Sequence, residues 1–291
     1  MTTINRDSML KMLRECAEAG AEEVHFKVPN RPLMRMPNGS LVPTRMQSLS
    51  PGDVKAAVFA LCALGHLELP VARISDHEFS FGINQLGRFR AFIYRQRGSL
   101  GAVVRRVNTQ VPRLETLGLN AEIDQMVGRA GLMLVAGTHR IEVLHSLVTG
   151  YNARERSNVI ILETPLTYLH RDAMSAISHR EVGTDVPDYA TGITQAIRLG
   201  VGLLAIGDVE DAVTADKVLT ATERRMAVIA SVAAPRATDA PWWFSRLFTG
   251  QAREDIERRL DSQLILTIAA NGTAGTEVLA APRTPLAAVN S

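Results

Sequence analysis

The chain has 291 residues, of which 46% are hydrophobic and 21% are charged, the proportions of a soluble globular protein with room for two domains. The formal net charge of +2 gives no reason to expect a nucleic-acid partner. With only two cysteines, Cys16 and Cys62, the sequence predicts no disulfide framework. It predicts no membrane span either, because no apolar run approaches the roughly 18 residues that a bilayer requires.

The charge is unevenly distributed along the chain. Residues 1–112 contain 15 Lys and Arg against 9 Asp and Glu, which leaves 17 against 21 for residues 113–291. A basic part beside an acidic part fits docking of unlike domains, within one chain or between subunits, and chance scatter is the alternative. Because the N-terminus lacks an apolar signal core, the expected location is the cytoplasm.

Residues 1–112 have the pattern of a small α+β domain with an antiparallel sheet. Gly20 is the expected end of a first helix, and Ser50 is the expected cap of a second one. Alternation on both sides of the turn at 84–87 predicts a hairpin. The predicted helices cover 8–19 and 51–64, and the predicted strands cover 23–28, 31–36, 78–83, 88–94 and 101–107.

After a connector that contains Pro112, the pattern changes to strands alternating with helices. This alternation over residues 113–279 predicts a parallel sheet with helices on its faces, so the fold class is α/β. Residues 280–291 are rich in Pro and Ala and are expected to form a loose tail. The predicted strands are 132–135, 158–162, 202–206 and 226–232, and the predicted helices are 140–150, 188–198 and 212–223.

The first predicted strand of this second part ends in Gly137, as a buried strand does when it feeds a phosphate-binding turn. Such a turn continues with a second glycine, a lysine and a hydroxyl, which supply N–H donors, positive charge and a Mg²⁺ ligand. Here the chain continues Thr138-His139-Arg140, without that glycine or lysine, and Glu142 adds negative charge where phosphate would lie. We therefore expect the degenerate loop, residues 137–140, to bind no nucleotide.

Two carboxylates follow apolar strands. Glu163 lies at the carboxyl end of its strand, where open α/β sheets bind ligands, so it could orient water or a metal, or equally cap the next loop. Asp208 also ends an apolar strand, the position at which nucleotide hydrolases hold Mg²⁺ or polarise water. Glu210 and Asp211 extend a negative cluster there.

Three arginines lie on neighbouring predicted strands. Arg88 and Arg90 are two residues apart and therefore point to one face, and Arg105 lies on the next strand. Guanidinium groups arranged in this way suit a phosphate or a carboxylate of another subunit, and an ordinary solvated strand face is the alternative.

The remaining patterns give weaker indications. The seven histidines show no metal-ligand spacing, so no metal site is expected. The cluster Trp242-Trp243-Phe244 could be an exposed docking patch, although covering the edge of the core is the favoured interpretation.

Seven segments between residues 20 and 235 occur in the order of one known family. Together they resemble the secretion-ATPase superfamily, most closely the PilT-like retraction ATPases of type IV pili, with type II secretion ATPases as relatives. The segments are Ala21-Glu22-Glu23-Val24-His25, the arginine-bearing strands 87–90 and 101–105, Leu114-Glu115-Thr116-Leu117-Gly118-Leu119, the strand 131–137, Ile161-Leu162-Glu163-Thr164-Pro165, His179-Arg180-Glu181-Val182-Gly183 and Gly207-Asp208-Val209-Glu210-Asp211.

The resemblance implies a PAS-like N-terminal domain over 1–112, a RecA-like domain over 113–279 and a ring of six subunits. In such a ring, arginines at the positions of Arg88, Arg90 and Arg105 reach the nucleotide or the motor domain of a neighbouring subunit. We expect them to serve an intersubunit contact, and the Glu210–Asp211 cluster of a neighbour is their expected partner.

The chain departs from the family pattern mainly at the residues that bind nucleotide and carry out hydrolysis in the family. Beside the altered loop, Thr164 replaces an aspartate of the acidic box, Asp208 replaces a glutamate, and Glu210 stands where the family has arginine. The residues Arg224-Arg225 and Ser231-Val232-Ala233 lack the histidines of the family's histidine box. Glu163 and Asp208 are then remnants of an ancestral site, with no catalytic residue and no cofactor expected.

These departures predict a catalytically inactive homologue, a structural or regulatory subunit of a pilus or secretion machine. Its expected partners are an active paralogous ATPase or the inner-membrane platform protein, in a homo- or hetero-oligomer that meets the membrane only through a partner. The alternative is a divergent ATPase that uses ATP and Mg²⁺, with Arg140 or a neighbour's arginine in place of the lysine. A sensor that binds a less charged ligand in the old cleft is a third possibility.

Overall fold

The computed structural model describes residues 4–67, 76–107, 110–272 and 275–281. The chain divides into two compact units, Met1–Val107 and Asn108–Ser291. The sequence placed the boundary later, at residue 112. The connector belongs to the second unit, because the hydroxyl of Ser146 donates a hydrogen bond of 2.6 Å to the carbonyl of Pro112.

The first unit consists of two helices and a six-stranded antiparallel sheet with the strand order β3-β2-β1-β6-β5-β4. Asn5 and Ser50 cap the two helices by accepting from the backbone N–H groups of Ser8 and Asp53, so the predicted cap at Ser50 is confirmed. The helices are α1 (Arg6–Glu18) and α2 (Pro51–Leu64), and the strands are β1 (Glu23–Phe26), β2 (Leu33–Arg35), β3 (Leu41–Pro43), β4 (His77–Ile83), β5 (Gly87–Gln96) and β6 (Ser99–Arg106).

Alternation along the strands gives this sheet two different faces. Phe89, Ala91 and Ile93 of β5 are buried in the core that the helices share. Arg88 and Arg90 point to the opposite face, as predicted, and Arg90 lies directly across from Arg105 in the register of β5 and β6. The short edge strand β3, which the sequence did not predict, is exposed along its whole length.

The second unit is built on a seven-stranded sheet with the order β13-β12-β7-β11-β10-β8-β9. Every pairing is parallel except that of β12 with β13, which confirms the predicted α/β class. A 3₁₀ turn over Leu114–Leu117 precedes it. The strands are β7 (Gly131–Ala136), β8 (Asn158–Glu163), β9 (Ala176–Glu181), β10 (Leu203–Ile206), β11 (Ala227–Ser231), β12 (Leu264–Ala270) and β13 (Thr276–Ala280), and the helices are α3 (Ala121–Met126), α4 (Arg140–Arg154), α5 (Tyr189–Leu199), α6 (Ala212–Glu223), α7 (Ala240–Ser245) and α8 (Gly250–Gln263).

Two expectations about the last part of the chain have different outcomes. Ala280, expected in a loose tail, is the final residue of β13 and pairs with Leu266 of β12, whereas residues 282–291 lie outside the described ranges. In the aromatic cluster, Phe244 is fully buried and Trp243 packs against the core, while Trp242 is half exposed. Most of the cluster thus covers the core edge. Within the described residues, none of the helices combines the length and the apolar character that crossing a bilayer requires.

Candidate functional site

The loop between β7 and α4 is the position at which the sequence predicted a degenerate phosphate-binding turn. In a functional turn of this kind, consecutive backbone N–H groups point into the concavity and bind phosphate oxygens. In this chain, the backbone N–H groups of the loop already donate hydrogen bonds to acceptors of the same unit. The N–H groups of Gly137, Thr138 and His139 donate to the Ala234 carbonyl (2.9 Å), to Asn271 Oδ1 (3.0 Å) and to the Ala270 carbonyl (3.0 Å), respectively.

Asn271, which follows β12, fixes this arrangement. Its Oδ1 accepts from Thr138, and its Nδ2 donates to the carbonyl of Pro235 at 2.8 Å, so both ends of the side-chain amide are satisfied. The end of β12 approaches so closely that a Cβ atom on Gly137, whose φ is 85°, would lie 2.4 Å from the Ala270 oxygen. The loop is therefore closed by protein atoms.

Arg140, the first residue of α4, contacts the candidate carboxylate Asp208. Its Nη2 lies 3.1 Å from Asp208 Oδ2, and the two side chains are 28% and 19% exposed. Asp208 Oδ1 accepts from the N–H of Val209 at 3.0 Å. The sequence predicted both residues separately, and the structure joins them. A guanidinium thus neutralises the carboxylate that the resemblance associates with Mg²⁺.

Glu142 lies in the first turn of α4, where a carboxylate interacts favourably with the helix dipole. Its Oε1 is 3.5 Å from Nδ1 of His139, which is the N-terminal boundary residue of the helix and makes no side-chain cap. Negative charge at this helix start disfavours a bound phosphate, as the sequence predicted.

Glu163 is almost completely buried, with 2% of the residue exposed. Its Oε2 accepts from the N–H of Thr167 at 2.9 Å, and its Oε1 lies 3.2 Å from Nε2 of His145. A Cβ on Gly207 would lie 2.6 Å from the Glu163 Cγ, so the glycine before Asp208 makes room for this side chain. Of the two interpretations that the sequence left open, the contact with Thr167 shows that Glu163 caps the loop that follows β8.

A cluster of imidazoles next to Glu163 was missed by sequence reasoning. His145 on α4 and His170 in the loop after β8 face each other, with 2.9 Å between Nδ1 and Nε2, and His179 on β9 stacks on His170. The residues are far apart in sequence, and their positions along the chain gave no signal. Across the described ranges, no group of three or more His, Cys, Asp and Glu side chains has an arrangement able to hold a metal.

Tyr189, the first residue of α5, is a second residue that the sequence did not single out. Burial, followed by the negative charges of Asp208 and Glu163, raises the pKa of its hydroxyl well above the ordinary range. The phenol therefore stays neutral beside the two carboxylates and can serve as a hydrogen-bond donor at the edge of the sheet.

The acidic cluster at 210–211 has a structural use. Asp211 is the N-cap of α6, and its carboxylate accepts from the N–H of Thr214 at 2.8 Å and from the hydroxyl of the same residue at 2.7 Å. Glu210 is exposed. The predicted intersubunit role of this pair therefore has to compete, at Asp211, with helix capping inside the unit.

Three arginines of the first unit, Arg35, Arg90 and Arg105, have acidic partners within that unit. Arg105 binds the buried Glu23 through Nε at 2.7 Å and also through Nη2, while Arg35 Nη1 and His25 Nε2 lie 3.4 Å and 3.0 Å from the same carboxylate. Arg90 forms an ion pair with Glu78. At Arg90 and Arg105 the predicted intersubunit contact therefore has to compete with these pairs.

These ion pairs determine the titration of Glu23. Burial raises the pKa of this carboxyl, but the hydrogen bond and charge of Arg105, followed by His25 and Arg35, outweigh it, so the net pKa is lowered. Glu23 is therefore an ionised carboxylate at neutral pH, held between three basic side chains.

The chain is similar in sequence to known pilus ATPases, although no family model matches it. The type IV pilus ATPase PilU of Pseudomonas aeruginosa is 28% identical over 238 residues, which are 79% of this chain and 61% of that protein. The type IV pilus retraction ATPase PilT of the same organism is 23% identical over 218 residues, 73% of this chain and 62% of that protein. The chain thus spans about three fifths of the length of these relatives.

Solved structures show the same fold. The pilus retraction motor PilT, solved with bound ADP, superposes with a TM-score of 0.81 at 23% identity and covers 95% of this chain and 83% of its own. The ATPase DotB of Legionella pneumophila gives a TM-score of 0.76 at 17% identity, over 93% of this chain and 77% of its own. With an N-terminal α+β unit followed by a RecA-like parallel sheet, the chain shares its fold with PilT and is similar in sequence to the PilT-like type IV pilus ATPases.

Proposed function

We propose that this chain does not hydrolyse ATP and acts as a structural or regulatory subunit of a pilus or secretion machine. The observation that carries the proposal is the closed loop before α4, in which three consecutive N–H groups donate to protein acceptors. A phosphate entering this loop would have to displace Asn271 and the end of β12.

The energetic argument concerns the groups that such a displacement would leave unpaired. The Ala270 carbonyl lies in a buried residue and would lose its donor, and a buried polar group without a partner costs about 1–3 kcal/mol; the exposed bond between Thr138 and Asn271 would add less. No lysine in the loop offsets that cost, and Glu142 adds repulsion. Nucleotide and Mg²⁺ therefore do not fit the donors present, and no cofactor is assigned.

The role of the subunit follows from the family. The relatives are named as pilus ATPases, so we assign this chain to the cytoplasmic side of such a machine. Its partners are an active paralogous ATPase or the inner-membrane platform protein, in a homo- or hetero-oligomer. Contact with the membrane runs through the partner, and no nucleic acid is involved.

A calorimetric titration with Mg-ATP tests the proposal on the full chain. The relative PilT, which was solved with bound ADP, is the positive control. We expect heat only from the control, and phosphate release by the chain at the level of buffer. Micromolar binding of Mg-ATP to the unmodified chain would contradict the proposal.

The alternative is a divergent ATPase in which Arg140 replaces the lysine. It is favoured by one observation: Nε of Arg140 is buried and has no hydrogen-bond partner among the described residues. The variant Arg140→Ala separates the cases. If the unmodified chain binds Mg-ATP and Arg140→Ala does not, the alternative holds; if both bind equally, neither account of the loop is correct.

A further inference from the structure

The imidazole cluster joins four parts of the second unit around one buried carboxylate. His145 comes from the middle of α4 and is completely buried, and Glu163 ends β8. His170 belongs to the loop between β8 and β9, and His179 lies within β9. Side chains from a helix, two strands and their connecting loop therefore meet at one point.

The contacts form a continuous chain from Glu163 to β9. His145 Nε2 lies 3.2 Å from Glu163 Oε1, and His145 Nδ1 lies 2.9 Å from His170 Nε2. The backbone N–H of His170 donates to His179 Nε2 at 3.0 Å. The rings of His145 and His170 stack with centroids 5.1 Å apart, and those of His170 and His179 with centroids 5.7 Å apart.

These contacts assign the protons. The carboxylate of Glu163 accepts, so His145 donates through Nε2, and its Nδ1 is left as an acceptor when the ring is neutral. His170 must then donate through Nε2. His179 Nε2 accepts from a backbone N–H, so its proton resides on Nδ1. One set of neutral imidazoles satisfies the contacts that join the three rings and Glu163, while the Thr149 hydroxyl donates to the His145 carbonyl at 2.9 Å.

The same arrangement disfavours an additional proton on His170. Burial, followed by the charges of His145 and His179, lowers the pKa of His170 to about 3. The groups around this ring include His145 from α4, the Thr149 hydroxyl from the same helix at 3.4 Å from His170 Nδ1, and His179 from β9. The carboxylate of Glu163 contacts His145 on the side away from His170 and does not neutralise a His170 cation directly.

The loop that carries His170 is held in two different ways. Residues 164–170 are tied by the Thr167 N–H to Glu163 and by the His170 N–H to His179. The following residues are tied to Asn152, whose Oδ1 accepts from the N–H groups of Ala173 and Ser175 at 3.1 Å and 3.2 Å. Only the first set of contacts belongs to the titratable cluster.

We propose that the stack of His145, His170 and His179 is a proton-sensitive latch that holds residues 164–170 against the sheet. With neutral rings the latch is closed. Protonation favours the open state, because the His170 ring is only partly exposed and an imidazolium gains hydration when the ring leaves its position between the other two. The contacts of Asn152 do not titrate, so residues 173–175 stay in place.

Amide hydrogen exchange of the full chain between pH 7 and pH 4 tests the latch. After correction for the intrinsic pH dependence of exchange, the opening equilibrium at Thr167 and His170 should rise by about tenfold per pH unit below about pH 6, the dependence expected for uptake of one proton. The amides of Ala173 and Ser175 should show no such rise, and they serve as an internal control.

Two variants separate His170 from other titrating groups. His170→Gln offers an amide donor to His145 Nδ1 but takes up no proton, so its exchange at Thr167 should be independent of pH. His139→Gln removes an exposed histidine of the same unit and should behave like the unmodified chain. The same rise in His170→Gln, or no rise in the unmodified chain, would overturn the proposal.

Nitrogen NMR of the histidine side chains gives a readout that does not depend on a variant. In the unmodified chain at pH 5, His170 should be neutral with its proton on Nε2. A cationic His170 in the folded protein at that pH would also refute the latch.

Discussion

At the scale of single residues, Glu23 of β1 is the buried charge with the clearest partners. Arg105 supplies its shortest hydrogen bonds and is itself largely exposed. Arg105→Ala removes the cation but leaves the carboxylate buried, so we expect a loss of about 1–3 kcal/mol in the free energy of unfolding. Urea unfolding measures this loss.

The control for this prediction is Arg14→Ala, which removes an exposed arginine from α1 of the same unit and should change stability by less than about 0.5 kcal/mol. The pH dependence gives a second check. Because the pKa of Glu23 is lowered on folding, its contribution is fully present above the ordinary value of 4.5 and is lost as the pH falls below it. Glu23→Gln should reduce this acid sensitivity; an unchanged profile would show that the ion pair is unimportant.

Gly137 and Gly183 allow a second prediction, because both have φ near +85° but different surroundings. A Cβ on Gly137 would meet the Ala270 oxygen at 2.4 Å, whereas a Cβ on Gly183 would have no atom within 4 Å. Gly183→Ala should therefore cost only the backbone term of about 1–2 kcal/mol. Gly137→Ala should cost at least about 2 kcal/mol more, because β12 must move away from the loop.

Thermal unfolding of the two variants gives this difference directly. Equal losses for Gly137→Ala and Gly183→Ala would mean that the approach of β12 to the loop is looser than the contact at Ala270 indicates. Such a result would also weaken the argument that the loop is closed to phosphate.

The sequence predicted part of the candidate site, and there is a physical reason why the other residues could not be predicted. Arg140, Glu163 and Asp208 were found because each lies at the start of a helix or the end of a strand, a position that local patterns reveal. Asn271, which accepts from Thr138, and His170, which contacts His145, come from distant turns and loops. Their contribution depends on how the chain folds back, which no local periodicity records.

At the scale of elements, helix α6 depends on its cap at Asp211. Truncation by Asp211→Ala leaves the N–H of Thr214 without its acceptor, and we expect a loss of about 1 kcal/mol in the free energy of unfolding. Glu210→Ala is the matched control, since the adjacent carboxylate is exposed and should contribute little. Equal effects of the two substitutions in urea unfolding would exclude capping as the main role of Asp211.

Most central elements of both units were predicted, but β12, which lies between β13 and β7 and is buried over its second half, was missed, and much of the remainder lies at edges. The strands β7, β8, β10 and β11 are almost entirely buried, so they appear in the sequence as continuous apolar runs. Strand β9 lies at the sheet edge and is largely polar, and helix α8 buries only Ile256 and Leu260. Elements with so little burial carry a weak hydrophobic pattern.

At the scale of the whole molecule, we predict that the sheet face of the first unit that carries Arg88 and Arg90 contributes to assembly with other subunits. The double variant Arg88→Ala/Arg90→Ala should weaken oligomer formation or partner binding while changing the melting temperature little. The reason is that a charge pair desolvated across an interface costs about 2–5 kcal/mol when truncated, whereas an exposed pair contributes under about 1 kcal/mol.

Light scattering and pull-down with an active paralogue measure this effect. The double variant Arg14→Ala/Arg31→Ala, at two exposed arginines of the same unit, is the control for a general loss of positive charge. If the Arg88→Ala/Arg90→Ala chain assembles and binds like the control, the pairing of Arg90 with Glu78 is a sufficient account of that arginine, and the assembly role is wrong.

The contact between Thr138 and Asn271 also bears on the order in which the chain folds. The two residues are 133 positions apart, so this hydrogen bond closes a very long stretch of chain. Contacts of such separation form after local ones. A nascent chain that has emerged as far as β11 contains every residue of the loop but neither of its acceptors from the end of β12. We therefore expect closure of the loop to be a late event in the folding of the unit, and until then the amides of Thr138 and His139 lack their acceptors.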